Sequence, residues 1–257
     1  MRRLLCGLST LALTLGAAAG ASAQAVRSGF LDVPLPRGDD IYTNSTFGFA
    51  INYFGTVSDV NIVCSNGYVI LGAFAPSGPT CAFPGPLSVL SAPDLNNLRT
   101  FYGSLLAPYF ADVNTAFEGN PGGLVYYGTG TVNGMNAWAA TWDGVAGWGG
   151  PTSLTFQTVL IDRGAGDFTM EFNYGFLGWP AEGGIGFTDD GGVTGEPVVA
   201  ELATDQPPIN SRLTCVFTDG VPSCSDLVNI PEPSTVVLLG SALLGLAGLA
   251  VRRRGAR

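Results

Sequence analysis

Apolar and polar positions alternate with a period of two along much of the chain. Phe47 to Phe54 alternates apolar with small residues. In the segment 154–162, Leu154, Phe156, Thr158 and Leu160 share one face, and Thr155, Gln157, Val159 and Ile161 share the other. A period of two places successive side chains on opposite faces of a strand. Neither face of 154–162 is polar throughout, so this strand is expected to be central and covered on both sides. Val60 to Cys64 and Gly67 to Phe74 are apolar runs hinged at Ser65-Asn66-Gly67, and Asn-Gly is a strong hairpin signal. Further strands are predicted at Gly123 to Tyr127, Ala137 to Trp142, Phe168 to Tyr174, Gly184 to Thr188, Val198 to Leu202 and Leu213 to Phe217. Residues 75–100 are rich in Pro, Ser and Asn and read as a long loop, with one short helical turn near Ala92 to Phe101. Short strands at regular spacing with Gly-rich turns predict an all-β, sandwich-like domain.

Two segments depart from this pattern. Leu4 to Ala19 is a continuous apolar run behind Arg2 and Arg3 and before Ala21-Ser22-Ala23. That is the build of a secretory signal peptide over 1–23, with the mature chain starting at Gln24. The second apolar run, Val236 to Val251, follows Pro231-Glu232-Pro233 and precedes Arg252, Arg253 and Arg254. As a hydrophobic helix over 236–251 it would span about 24 Å, short of the ~30 Å hydrocarbon core. Arg252 to Arg254 would hold its end at the cytoplasmic face of a membrane. The chain thus divides into a signal peptide (1–23), a lead-in (24–46), a β domain (47–228) and a tail (229–257).

The tail resembles the PEP-CTERM sorting signal of Gram-negative bacteria. The resemblance implies an exosortase-type enzyme acting at Pro231, Glu232 and Pro233, with delivery to the envelope, the cell surface or the extracellular matrix. A plain C-terminal transmembrane anchor is the alternative. Either way the preceding domain faces outward.

Export changes the charge balance. All 11 basic residues are Arg, and six of them lie in the terminal segments, while 19 of 20 acidic residues lie between them. Five arginines against 19 carboxylates leave the exported domain near −14. Such a surface excludes nucleic acid as a partner, because phosphates need basic side chains. Without His or Lys, triads of the Ser-His-Asp, Cys-His and Ser-Lys kinds are excluded as well. Asp112, Glu118, Asp143 and Glu171 are available as paired carboxylates for glycoside hydrolysis, but solvated carboxylates are ordinary in so acidic a chain. The chain is read as non-catalytic and in need of no cofactor.

The mature chain keeps four cysteines, Cys64, Cys81, Cys215 and Cys224, in an oxidising compartment. Four cysteines allow three pairings. Cys64–Cys81 and Cys215–Cys224 are favoured because each closes a short loop rich in Gly, Pro or Ser.

The order of elements carries a second resemblance. Cys64-Ser65-Asn66-Gly67-Tyr68-Val69 is followed by Leu106-Ala107-Pro108-Tyr109-Phe110-Ala111-Asp112-Val113, then by Val125-Tyr126-Tyr127 and Ala140-Thr141-Trp142. Phe156-Gln157-Thr158-Val159-Leu160, Phe172-Asn173-Tyr174-Gly175 and Gly184-Ile185-Gly186-Phe187 complete the series. This succession over about Phe47 to Asp190, with its motif-bearing core at 64–190, resembles the nidogen-like (NIDO) domain. The resemblance implies an extracellular β-rich module of cell–matrix adhesion, with no catalytic residues to carry over. Tyr109-Phe110 stands where that family commonly has Phe-Trp. From the residues alone, Tyr109, Phe110, Trp142, Phe156, Phe172 and Phe187 are expected in a sandwich core. Gly175, Gly184 and Gly186 would permit tight turns or close strand approach.

Asp112, Asn114 and Glu118 are hard oxygen ligands after a strand, and Asp189-Asp190 form a second acidic pair. Calcium is the cation such residues would take, although capping and solvation are their commoner role. Asn44-Ser45-Thr46 fits a glycosylation acceptor pattern and is read as a turn. Trp138, Trp148 and Trp179 are partly Gly-flanked; exposed tryptophans would suit carbohydrate stacking, and buried ones the core. Two functions follow: an exported adhesion or matrix module, or a glycan- or calcium-binding surface protein anchored by its C-terminal helix. A pocket for the second would lie in the Gly-rich loops around 143–152 and 175–184. The partners implied are an exosortase-type enzyme, extracellular polysaccharide or matrix proteins, and the membrane through the tail.

Overall fold

The computed structural model describes residues 25–72, 81, 95–117, 122–148, 153–178, 184–189, 191, 198–203 and 206–230. The signal peptide, most of the 75–100 loop, Glu118, Trp179, Asp190 and the whole tail from Pro231 lie outside them.

Among the described residues, fourteen strands and one helix follow in order: β1 (Val33–Pro34), β2 (Tyr42–Tyr53), β3 (Thr56–Cys64), β4 (Tyr68–Leu71), α1 (Leu95–Tyr102), β5 (Leu105–Ala107), β6 (Leu124–Val132) and β7 (Met135–Ala146). They continue with β8 (Ser153–Gly164), β9 (Asp167–Leu177), β10 (Ile185–Asp189), β11 (Val198–Ala203), β12 (Ser211–Thr218), β13 (Val221–Cys224) and β14 (Val228–Asn229). They form two antiparallel sheets. One runs β1-β6-β7-β8-β9-β12-β13, with β14 also on β12; the other runs β11-β10-β5-β4-β3-β2.

Period-two patterning explains the layering. The inward-facing residues of both sheets make one core, containing Phe47, Tyr53, Val63, Tyr109, Trp138, Trp142, Leu154, Phe156, Leu160, Phe172, Phe187 and Phe217. Trp142 stacks on Phe156 at 4.8 Å and Phe168 on Phe217 at 4.4 Å, while Phe47 meets Trp138 edge-on at 5.0 Å. Each such pair adds roughly 0.5–1.5 kcal/mol beyond its buried area. Two buried aromatic tips in this core are paired: Trp142 Nε1 donates to the Ser65 carbonyl and Tyr174 Oη to the Pro108 carbonyl. Burial pushes the hydroxyls of Tyr53 and Tyr174 well above the ordinary tyrosine value, so both stay neutral donors.

As expected, β8 is covered on both sides. Leu154, Phe156 and Leu160 enter the inter-sheet core, and Val159 and Ile161 join Phe30, Val132, Ala137 and Ala139 in a second cluster on the outer face. Phe30 belongs to the segment 24–46, whose described residues cluster in one compact unit with the strands that follow. The outer face of the six-stranded sheet carries a third cluster of Ile62, Cys64, Tyr68, Ile70, Cys81, Leu95, Leu98, Tyr102, Leu105, Ala107 and Phe110. Tyr109 and Phe110, neighbours in sequence, therefore point to opposite faces, one into the main core and one under α1.

Asn44-Ser45-Thr46 is not a turn; it lies within β2, paired with Ile62, Asn61 and Val60 of β3. There Ser45 Oγ accepts from Trp138 Nε1, which fixes that tryptophan inside the core. The Ser65-Asn66-Gly67 hairpin forms and also ties the chain together. Asn66 Oδ1 accepts from Val113 N–H at 2.8 Å, and its Nδ2 donates to the Cys81 carbonyl and to Asp40 Oδ1. Gly67, at φ 82°, packs directly on the Tyr109 carbonyl, where a Cβ would overlap that oxygen.

Candidate functional site

The disulfides are Cys64–Cys81, spanning 17 residues, and Cys215–Cys224, spanning nine. The first fastens Cys81 to β3 under the helix; the second closes the β12–β13 hairpin at the opposed pair Cys215 and Cys224.

The carboxylates regroup. Asp112 lies with Asp39 and Asp40, their oxygens all within 4.8 Å of one another. A backbone bridge between Asp39 and Asn114 brings the two segments side by side. Asn114 uses its Oδ1 to accept from Ala116 N–H, closing its own turn. Burial and the neighbouring Asp40 raise the Asp39 carboxyl above its ordinary value. Among the described residues, these three carboxylates form the group that could hold a divalent cation. Sequence reasoning missed Asp39 and Asp40 because they lie some seventy residues before Asp112. Asp189 has a structural role, its oxygens accepting from Ser104 Oγ and Gly191 N–H.

A polar row crosses the outer face of the eight-stranded sheet. Register places Thr141 of β7 opposite Gln157 of β8, Gln157 opposite Asn173 of β9, and Asn173 opposite Arg212 of β12. Gln157 Nε2 donates to Thr141 Oγ1 (2.8 Å), Asn173 Nδ2 to Gln157 Oε1 (3.1 Å) and Arg212 Nε to Asn173 Oδ1 (2.5 Å). The segment after Gln24 lies along this row. Arg27 N–H donates to Gln157 Oε1, and Gln157 Nε2 donates back to the Arg27 carbonyl. The Arg27 guanidinium grips Glu171 at 2.6 and 2.7 Å, and Arg212 approaches Glu171 at 3.5 Å while donating to the Ala25 carbonyl. Two-point guanidinium–carboxylate pairing is the strong form of this contact. Burial holds the Arg212 guanidinium below its ordinary value, partly offset by Glu171.

At one end of this row the ladder is interrupted on both sides of Thr155. On β7, Trp142 pairs with Phe156 and Val145 with Leu154, so Asp143 and Gly144 together face Thr155. On β9, Tyr174 pairs with Phe156 and Leu177 with Leu154, so Gly175 and Phe176 also face Thr155. Gly144, at φ 63°, donates its N–H to Thr155 Oγ1. A Cβ on Gly175 would press on the Thr155 backbone and side chain at 3.1 Å. Beside this paired bulge is a pocket of about 520 Å³ lined by Arg27, Leu31, Thr141, Asp143, Phe176 and Ile209, among others. Of the Gly-rich stretches 143–152 and 175–184, Asp143, Gly175 and Phe176 line it, while residues 149–152 and 179–183 lie outside the described residues.

The tryptophans separate. Trp138 and Trp142 are core residues, whereas Trp148 is 54% exposed. Phe176, Leu31 and Ile209, not singled out by the sequence pattern, are the large apolar groups that reach solvent at the pocket.

Among known proteins, one family model matches: the PEP-CTERM protein-sorting motif, over residues 229–254. No curated protein and no solved structure matches the chain. The matched residues include Pro231, Glu232 and Pro233, the apolar run and Arg252 to Arg254. The motif marks a protein exported and sorted to the Gram-negative cell envelope by an exosortase.

Proposed function

We propose that the chain is an exported, non-catalytic module that works outside the cell, joining the cell to its surrounding matrix or polysaccharide. The observation that carries this reading is the sorting motif at 229–254 attached to a β-sandwich with two disulfides. Disulfides suit a domain that stays in an oxidising compartment. Adhesion as the task is proposed from the sequence resemblance over Phe47 to Asp190 alone; the family model that matches covers only the tail. A non-catalytic role is supported at Glu171, both of whose oxygens are taken by Arg27. Exosortase is the partner that handles the tail, and the apolar run 236–251 would be the segment that meets the membrane before processing.

The test compares cells carrying the intact chain with cells carrying a version that lacks residues 229–257. The intact chain should fractionate with the envelope and support attachment, and the shortened chain should pass into the medium with attachment lost. Equal retention and equal attachment of the two strains would overturn the reading.

A further inference from the structure

We propose that the pocket beside the paired bulge binds a short neutral saccharide. The proposal rests on the reading above only in that the domain is delivered outside the cell, and it names what the exposed site takes there.

A β-bulge costs ladder hydrogen bonds, bends the strand and re-aims a side chain, and such irregularities gather next to binding sites. Two of them flank the same residue, Thr155. The one on β9 has a visible consequence. Phe168, Met170, Phe172 and Tyr174 alternate into the core, and unbroken alternation would send residue 176 after them. Leu177 takes that inward place instead, leaving Phe176 53% exposed at the pocket. Leu31 and Ile209, at 47% and 55% exposure, line the same pocket. Large apolar side chains gathered in water around one concavity mark a binding surface.

The polar lining narrows the ligand class. Thr141 is 1% exposed and its Oγ1 accepts from Gln157 Nε2, so its own hydrogen remains available to a ligand. Gln157 is itself fixed by Arg27 and Asn173, which holds that hydroxyl in place. Asp143 is an exposed carboxylate on the pocket wall, able to accept from two neighbouring hydroxyls. An aromatic ring on one side with hydroxyl-directed acceptors and donors on the other matches a pyranose, which has an apolar C–H face and a rim of hydroxyls. Charge decides against acidic sugars. The guanidinium of Arg27 is committed to Glu171, Asp143 contributes a negative charge, and the exported domain stands near −14. A pocket of about 520 Å³ lies within the ~300–1,000 Å³ usual for small ligands.

Isothermal titration of the full-length protein in detergent tests this, with cellobiose, maltose, mannobiose and their tetramers as probes and a galacturonate oligomer as the charged control. At least one neutral sugar should bind. Phe176→Ala and Asp143→Asn should each weaken binding about tenfold or more, equivalent to about 1.4 kcal/mol. Both side chains are exposed, so circular dichroism and melting temperature should stay at the wild-type values. Failure of every neutral sugar to bind, equal binding of galacturonate, or wild-type affinity in both variants would each overturn the proposal. The readout is made on purified protein, so a failure in titration is separable from a failure of sorting or attachment.

Discussion

The two outward faces of the sandwich are closed by different chemistry. On the six-stranded sheet, α1 and the Cys81 segment bury an almost wholly apolar set, with Ile62, Ile70, Leu95, Leu98 and Phe110 at its centre. On the eight-stranded sheet, the segment from Ala25 sets its Phe30 on Val132, Ala137, Ala139, Val159 and Ile161 at one end and lies on a hydrogen-bonded row at the other. Apolar contact is non-directional and tolerates small shifts, whereas every buried donor must meet its acceptor. The polar cover therefore fixes the N-terminal segment in register along the sheet. Where the strands bulge at Thr155, the cover leaves a pocket.

High pH should have the largest effect, acting through the core and the helix-side cover. Tyr53 and Tyr174 in the core and Tyr68 under α1 have hydroxyls raised well above the ordinary value, by burial first of all. A raised folded value means that the native state holds protons the unfolded chain loses. Their contribution is complete below the unfolded value of about 10 and falls as pH rises from there through the raised folded values. Circular dichroism across pH 9–12 should show cooperative loss of structure beginning above pH ~10. A fold unchanged at the upper limit would contradict this.

Glu171→Ala comes next. It leaves Arg27 and Arg212 facing each other without their shared carboxylate, at a cost of about 3 kcal/mol. Hydrogen exchange should then speed at Arg27 and its neighbours while the helix-side amides keep their protection. Leu98→Ala attacks the other cover. Removing a fully buried leucine side chain costs about 2–3 kcal/mol, and amide protection should fall in α1 while the Arg27 segment is unaffected. If either substitution loosens both covers equally, the two are not separate devices. The smallest effect belongs to Thr141→Val, which removes the acceptor of one Gln157 hydrogen bond and should lower stability by about 1 kcal/mol, read from denaturant midpoints.

Legibility in the sequence followed the range of the interaction. Period-two patterning and turn residues are local, so the strands around Ser65-Asn66-Gly67, Leu154 to Asp162 and Phe168 to Tyr174 could be located in advance. The short disulfide loops were legible for the same reason. What covers each face was not. The polar row is assembled from residues 16, 16 and 39 positions apart, and only strand register brings them together. Residues 24–46 carry little periodic signal because their contacts combine backbone hydrogen bonds, one ion pair and isolated apolar anchors such as Phe30 and Leu35. Asn44-Ser45-Thr46 has turn-prone composition, yet pairing with β3 and the contact to Trp138 outweigh that local preference. At the pocket, Gly175 signalled close strand approach, but the exposure of Phe176 needed the bulge itself.

We propose that the leader is removed before Gln24 and that the tail is handed to an exosortase. The intact mass of the protein recovered from envelope and medium tests it directly. The account predicts a chain that starts at Gln24 and ends at or near Pro231-Glu232-Pro233. A recovered chain that still runs from Met1 to Arg257 would contradict it.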